Sequence, residues 1–254
     1  MSGVLQNKVA IVTGGGAGMG RAVAERFARE GAEVVVSEID PKRGQATVES
    51  IRATGGQALF VQTDVGEESA VVGLADAVRA NYDHVDILYN NAAVLYHNLE
   101  ARAHELSSAI WEDTLRVNLR GLWLCSKYMI PLMLRAGGSI IHVGSPTALN
   151  GSGAGMTAYC VSKGGILALT KAMAVDYARD NLRVNCIIPG VMDTPMNASF
   201  LAEPANKSSM VLRIPLGRVG TCDDVSGLAV FLASSESAYC TGGIYMADGG
   251  FTAF

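Results

Sequence analysis

No CxxC pair and no HExxH stretch occurs in the 254 residues, and His84, His97, His104 and His142 keep no spacing that would gather a metal ion. No metal site is therefore expected. No basic stripe is present either: the 20 Lys and Arg are scattered against 24 Asp and Glu, a net charge of -4. Nucleic acid, which selects clustered cations, is not an expected partner. The longest apolar stretch, residues 119–134, is broken by Arg120 and Lys127, so no membrane span is expected. The opening MSGVLQNK runs straight into an apolar strand pattern without the marks of a targeting segment, and a cytoplasmic location is expected. Cys125, Cys160, Cys186, Cys222 and Cys240 are odd in number, and the expectation is buried thiols in a reducing compartment.

What the chain has is apolar residues, 49% of the total, with only 17% charged, enough to fill a core. Short runs rich in Val and Ile recur at 8–13, 33–38, 58–62, 85–90, 139–143, 183–188 and 243–247. They do not alternate with polar residues, as strands covered on both faces should not. Helical patterns lie between them. One begins with Asp40 as N-cap and Pro41 in the first turn, and ends before Gly55. Strand–helix–strand repetition implies a single-domain α/β fold: a Rossmann-like, doubly wound parallel sheet of about seven strands with helices on both faces. No linker divides residues 1–254. The segment 192–215 reads as neither strand nor long helix and is the expected substrate lid.

Glycine is abundant, with 29 residues, and its densest cluster follows the first strand: Thr13-Gly14-Gly15-Gly16-Ala17-Gly18-Met19-Gly20. Such a turn opening a helix lets backbone N–H groups approach a pyrophosphate at the positive end of the helix. No Lys-Ser/Thr pair follows, which excludes a Walker loop, and GxGxxG fails in every register; Gly14, Gly18 and Gly20 fit GxxxGxG instead. Glu38 closes the second strand about twenty residues on, where an acid accepts from the adenosine ribose hydroxyls and repels a 2′-phosphate. Lys42 and Arg43 are expected on the solvated face of the next helix. The cofactor expected is NAD rather than NADP.

Tyr159 and Lys163 stand four apart, on one face of a helix, with Ser145 closing the strand before it and Asn118 in the preceding helical stretch. With the turn 13–20, Asp64-Val65, Asn90-Asn91-Ala92-Ala93, Pro189-Gly190 followed by Thr194, and Asp248-Gly249-Gly250, this ordered set resembles the short-chain dehydrogenase/reductase superfamily, in its compact single-domain branch, along essentially the whole chain. The resemblance implies hydride transfer between NAD(H) and a secondary alcohol or ketone. It implies Tyr159 as acid/base, Ser145 as donor to the substrate oxygen, Lys163 on the nicotinamide ribose and Asn118 as a water anchor. It also implies a cofactor held by Gly14, Gly18, Met19, Gly20, Glu38, Asp64, Val65, Asn91, Tyr159, Lys163, Pro189, Val191 and Thr194, the last on the carboxamide. Ala93 stands where the family more often has Gly, and a slight backbone shift is expected there.

A free tyrosine ionises near 10. The Lys163 cation and the positive ring of oxidised cofactor are expected to bring it down. Two competing readings are a reductase of carrier-bound β-ketoacyl groups and a non-catalytic NAD(H)-binding regulator. Glu38 and the acidic balance speak against the first; intact Ser145, Tyr159 and Lys163 speak against the second. The segments 94–98, 146–155 and 192–200 are expected to face the reacting carbon. They contain Leu95, Tyr96, Leu149, Met192, Met196 and Phe200, with Met156 just beyond, and no Lys or Arg. A small or medium neutral substrate is expected, with Asn98, Asn150 and Ser152 able to orient a second hydroxyl. Apolar helical stretches at 111–135 and 159–181 and the tail 250–254 imply a homo-oligomer, expected to be a tetramer.

Overall fold

The computed structural model describes residues 3–151 and 155–253. Ser152 and Phe254 lie outside the described residues. Seven strands form one sheet in the order β3-β2-β1-β4-β5-β6-β7, and every pairing is parallel. They are β1 Val9–Thr13, β2 Glu33–Glu38, β3 Gln57–Gln62, β4 Ile87–Asn90, β5 Gly138–Val143, β6 Leu182–Pro189 and β7 Ile244–Ala247. The helices are α1 Gly18–Arg29, α2 Pro41–Ala53, α3 Glu68–Asn81, α4 Ser108–Leu115, α5 Leu122–Met133, α6 Thr157–Asp176, α7 Ala198–Ala202, α8 Pro204–Leu212 and α9 Asp223–Ala233.

The unbroken apolar runs have the expected cause. Ala10 and Val12 of β1 face a core shared with Val23 and Phe27 of α1 and Val225 of α9, whereas Ile11 faces Leu74 of α3 and Met129 of α5. β1 thus buries both faces of its pleat against helices, whereas the edge strands β3 and β7 are partly exposed. Asp40 caps α2 as the sequence indicates, its Oδ1 accepting from the Lys42 and Arg43 amides at 2.9 and 3.2 Å. The stretch 111–135 departs from a plain helix: residues 116–121 form a π-helical turn joining α4 to α5. Segment 192–215 folds into α7 and α8, neither of which has a fully buried residue. The expectation for the cysteines is corrected, since Cys125 and Cys186 are buried while Cys160, Cys222 and Cys240 are partly exposed. Among the described residues no helix is long and apolar enough to cross a membrane.

Strand order reverses between β1 and β4, which leaves a crevice at the carboxyl ends of the strands. A cleft of about 740 Å³ opens there.

Candidate active site

The glycine turn forms the floor of one end of the cleft. Gly14 takes φ +62°, a left-handed backbone, and α1 comes so close that a Cβ on Gly20 would sit 2.1 Å from the Gly14 carbonyl oxygen. Asn91, after β4, locks the turn, its Nδ2 donating to the Thr13 and Gly14 carbonyls at 3.1 and 3.3 Å. Thr13 Oγ1 in turn accepts from the Asn91 and Ala92 amides. Ala93 has no positive φ, so alanine fits where glycine was expected and no strain arises. Across the cleft, Thr194 lies 3.5 Å from where a Gly18 Cβ would be. Met19, Val191 and Pro189 line the same cleft.

At the outer end, Glu38 is 8% exposed. Its Oε2 accepts from the Gly16 amide at 3.0 Å, and its Oε1 from the Ile39 and Asp40 amides at 3.0 and 3.1 Å. Three backbone donors hold the carboxylate at the lip of the turn. The expectation for Arg43 is corrected: its side chain is exposed, but it lines the cleft beside Glu38, paired with Asp40 at 3.5 Å. The first turn of α2 curls back over the strand end, which spacing alone does not reveal. Asp64 and Val65, after β3, line the next part of the wall. Asp64 is held by Arg116 at 3.1 Å, and the same guanidinium reaches Asp113 and Glu67.

The reacting end gathers Ser145, Tyr159 and Lys163. Ser145 lies two residues beyond β5 and caps a short 3₁₀ turn that Pro146 begins. Its Oγ accepts from Thr147 Oγ1 at 2.9 Å. Tyr159 and Lys163 share one face of α6, with Nζ 5.6 Å from the phenol ring centroid and donating to the Val143 carbonyl at 2.9 Å. The protein surroundings of the phenol act against the lowering expected from Lys163 and the oxidised cofactor. Burial pushes Tyr159 up to about 12 although a Ser145 hydrogen bond favours the tyrosinate, and burial brings Lys163 down to about 8. Desolvation is the largest influence on both groups. Asn118 is fully buried in the π-helical turn and does not line the cleft. Its Oδ1 accepts from the Val94 amide at 2.8 Å, while its Nδ2 donates to the Val94 carbonyl and to Ser162 Oγ. The side chain ties the loop after β4 to α6.

Glu100 carries no signal in the sequence, yet its carboxylate caps α6, accepting from the Ala158 and Tyr159 amides at 3.1 and 2.9 Å. The substrate wall contains Leu95, Tyr96, Met156, Met192, Met196 and Phe200, as expected, whereas Leu149 and Asn98 do not line the cleft. His97 also lines it, stacked on Phe200 with ring centroids 5.6 Å apart. The expectation of a wall without cations holds for the three loops but not for the cleft. Arg213 and Phe251 reach it from beyond them, and Phe251 of the supposed interface tail serves as cleft wall.

Comparison with known proteins gives the same assignment. Residues 14–252 match the family described as Enoyl-(Acyl carrier protein) reductase. An uncharacterized oxidoreductase of Bacillus subtilis is 41% identical, covering 99% of this chain and 93% of its own. The chain belongs to the short-chain dehydrogenase/reductase superfamily. It is therefore an oxidoreductase of a family that binds a nicotinamide cofactor. A 3-oxoacyl-[acyl-carrier-protein] reductase of Chlamydia trachomatis is 36% identical over 98% of this chain and 99% of its own. A Beutenbergia cavernae structure, assigned provisionally as an NAD(P)-dependent gluconate 5-dehydrogenase and holding NADP at low occupancy, superposes with TM-score 0.93 at 33% identity, covering 98% of each chain. The cradle at Gly20 that a Cβ would fill, and the amide-lined turn facing Glu38, fit a dinucleotide.

Proposed function

We propose that this protein interconverts a secondary alcohol and its ketone with NAD(H), on a single domain that 192–215 covers as a lid. The observation that carries the reading is the buried set Ser145, Tyr159 and Lys163 at the carboxyl end of β5, in one cleft with Glu38. Bound there, the nicotinamide supplies the hydride acceptor or donor. Tyr159 takes the carbinol proton during oxidation and returns it during reduction. Ser145 orients the substrate oxygen toward the phenol, and Lys163 holds positive charge beside it. Gly14, Gly18, Met19 and Gly20 bind the pyrophosphate; Glu38 binds the adenosine ribose; Asp64 and Val65 flank the adenine; Asn91 supports the middle; and Pro189, Val191 and Thr194 border the nicotinamide. Asn118 acts through the Val94 and Ser162 contacts.

Glu38 favours NAD, because a 2′-phosphate beside its carboxylate would meet like charge. Around the reacting carbon the wall is uncharged, with Leu95, Met156 and Phe200 beside Asn150, which suits a small or medium substrate that is neutral there. The test is NADH formation across secondary alcohols, diols and polyols. We expect turnover with several of them; the absence of NADH formation from all, with efficient NADPH-dependent reduction of an acetoacetyl thioester, would instead favour the carrier-bound reading suggested by the Chlamydia relative.

The same reading extends to assembly as a homotetramer in the cytoplasm. Helices α4, α5 and α6 leave an apolar groove of about 750 Å³ lined by Trp111, Leu119, Trp123 and Leu169, with Trp123 43% exposed. A second copy covering that face would bury both tryptophans. Light scattering at micromolar concentration should give a tetramer mass, and Trp123→Glu should give a smaller species. A monomer mass for the unaltered protein refutes the assembly.

A further inference from the structure

The arginines that line the cleft differ in how they are balanced. Arg43 faces Asp40, and Arg116 is surrounded by Asp64, Glu67 and Asp113. Arg213 is exposed, lines the same cleft as Tyr159, and among the described residues has no carboxylate in ion-pairing range. Its guanidinium lies over the Phe251 ring, 4.6 Å from the centroid. An arginine stacked on an aromatic face has its fork of donors held in one plane, ready for a planar oxyanion.

Both halves of this stack are mounted rigidly. Ile214, next to Arg213, is buried, and the Leu216 amide donates to the Gly249 carbonyl at 3.1 Å. Asp248 fixes the turn that carries Phe251, accepting from the Gly250 amide at 3.0 Å, the Thr252 amide at 2.9 Å and the Thr252 hydroxyl at 2.6 Å. Those bonds commit both oxygens of the nearby acid to its own turn. A second polar group faces the same space: His97 lines the cleft, and its Nε2 is buried with no partner among the described residues.

We propose that Arg213 is a specificity-determining residue that binds a carboxylate, so that the substrate is a hydroxy acid. Its carbinol lies at Ser145 and Tyr159, its carboxylate reaches Arg213, and His97 offers a hydrogen bond to a further oxygen. This rests on the alcohol-oxidising reading above and adds a charge requirement to it. The carboxylate takes no part in the bond changes: the carbinol C–H hydride goes to NAD, the O–H proton goes to Tyr159, and the acid group leaves as it arrived. A carboxylate is favoured over a phosphate ester by position. Arg213 is the C-cap residue of α8, the negative end of the helix dipole, which suits one negative charge better than two.

The experiment compares C4–C6 hydroxycarboxylates with their uncharged amides by kcat/KM in the unaltered enzyme, Arg213→Ala and Arg213→Lys. Binding of succinate to the enzyme–NADH complex, followed by NADH fluorescence, is measured alongside. One charge-assisted pair predicts an acid-to-amide ratio of roughly 10 to 100, carried in KM, falling toward one in Arg213→Ala and partly recovered in Arg213→Lys. Salt should weaken succinate binding to the unaltered enzyme and much less to Arg213→Ala. If no alcohol, acid or amide yields NADH, the hydride reading fails, and succinate binding still decides the role of Arg213. Equal use of acids and amides, a phosphorylated alcohol preferred over every acid, or succinate binding unchanged by Arg213→Ala overturns the proposal.

Discussion

Tyr159→Phe should cut turnover by roughly 10³-fold, about 4 kcal/mol of barrier, while NADH still binds. The substitution removes one oxygen from a buried ring and leaves the cleft wall in place. In the unaltered enzyme the phenol is pushed up to about 12 by burial. At neutral pH only a small fraction is tyrosinate, so the oxidation rate should rise with pH, with the Lys163 cation and the oxidised ring bringing the apparent midpoint below that value. Steady-state oxidation from pH 6 to 10, with chemistry rate-limiting, checks this together with an NADH titration of the variant. Turnover of Tyr159→Phe near that of the unaltered enzyme, or a flat profile, removes Tyr159 from the mechanism.

The second large effect is expected at the other end of the cleft. Glu38→Ala combined with Ile39→Arg should move the NADP-to-NAD ratio of kcat/KM by at least about 100-fold, since a like charge leaves and a charge-assisted partner arrives. Arg43 strengthens the expectation, because it already borders the site beside Glu38. Glu38→Ala alone should therefore shift the ratio in the same direction. A preference of the unaltered enzyme for NADP would refute the assignment of Glu38.

These positions were legible in the sequence because their signals are local. The β1–α1 turn is a run of glycines, Tyr159 and Lys163 are one helical turn apart, and the strands show unbroken Val and Ile. The parallel, doubly wound sheet followed from repetition of one strand–helix unit. What escaped was set by contacts distant in the chain. Arg213 enters the cleft only because α8 ends at the C-terminal turn, and Arg116 finds Asp64 fifty-two residues away. The protonation of Tyr159 escaped for another reason. Spacing shows that a lysine is near, but only packing shows how far both groups are removed from water.

The Glu100 cap has a further consequence for how the molecule breathes. Its carboxylate holds the first amides of α6 from a loop fifty-eight residues earlier, and Thr157 Oγ1 donates to the Ala101 carbonyl at 2.8 Å. Opening of either segment strands the α6 donors and the loop acceptors together, so the two behave as one cooperative unit toward local unfolding. His97 belongs to that loop and Tyr159 to that helix turn. A ligand that quiets the loop therefore also slows opening at the acid/base residue, and amide exchange at positions 158 and 159 reports substrate engagement that never touches those amides.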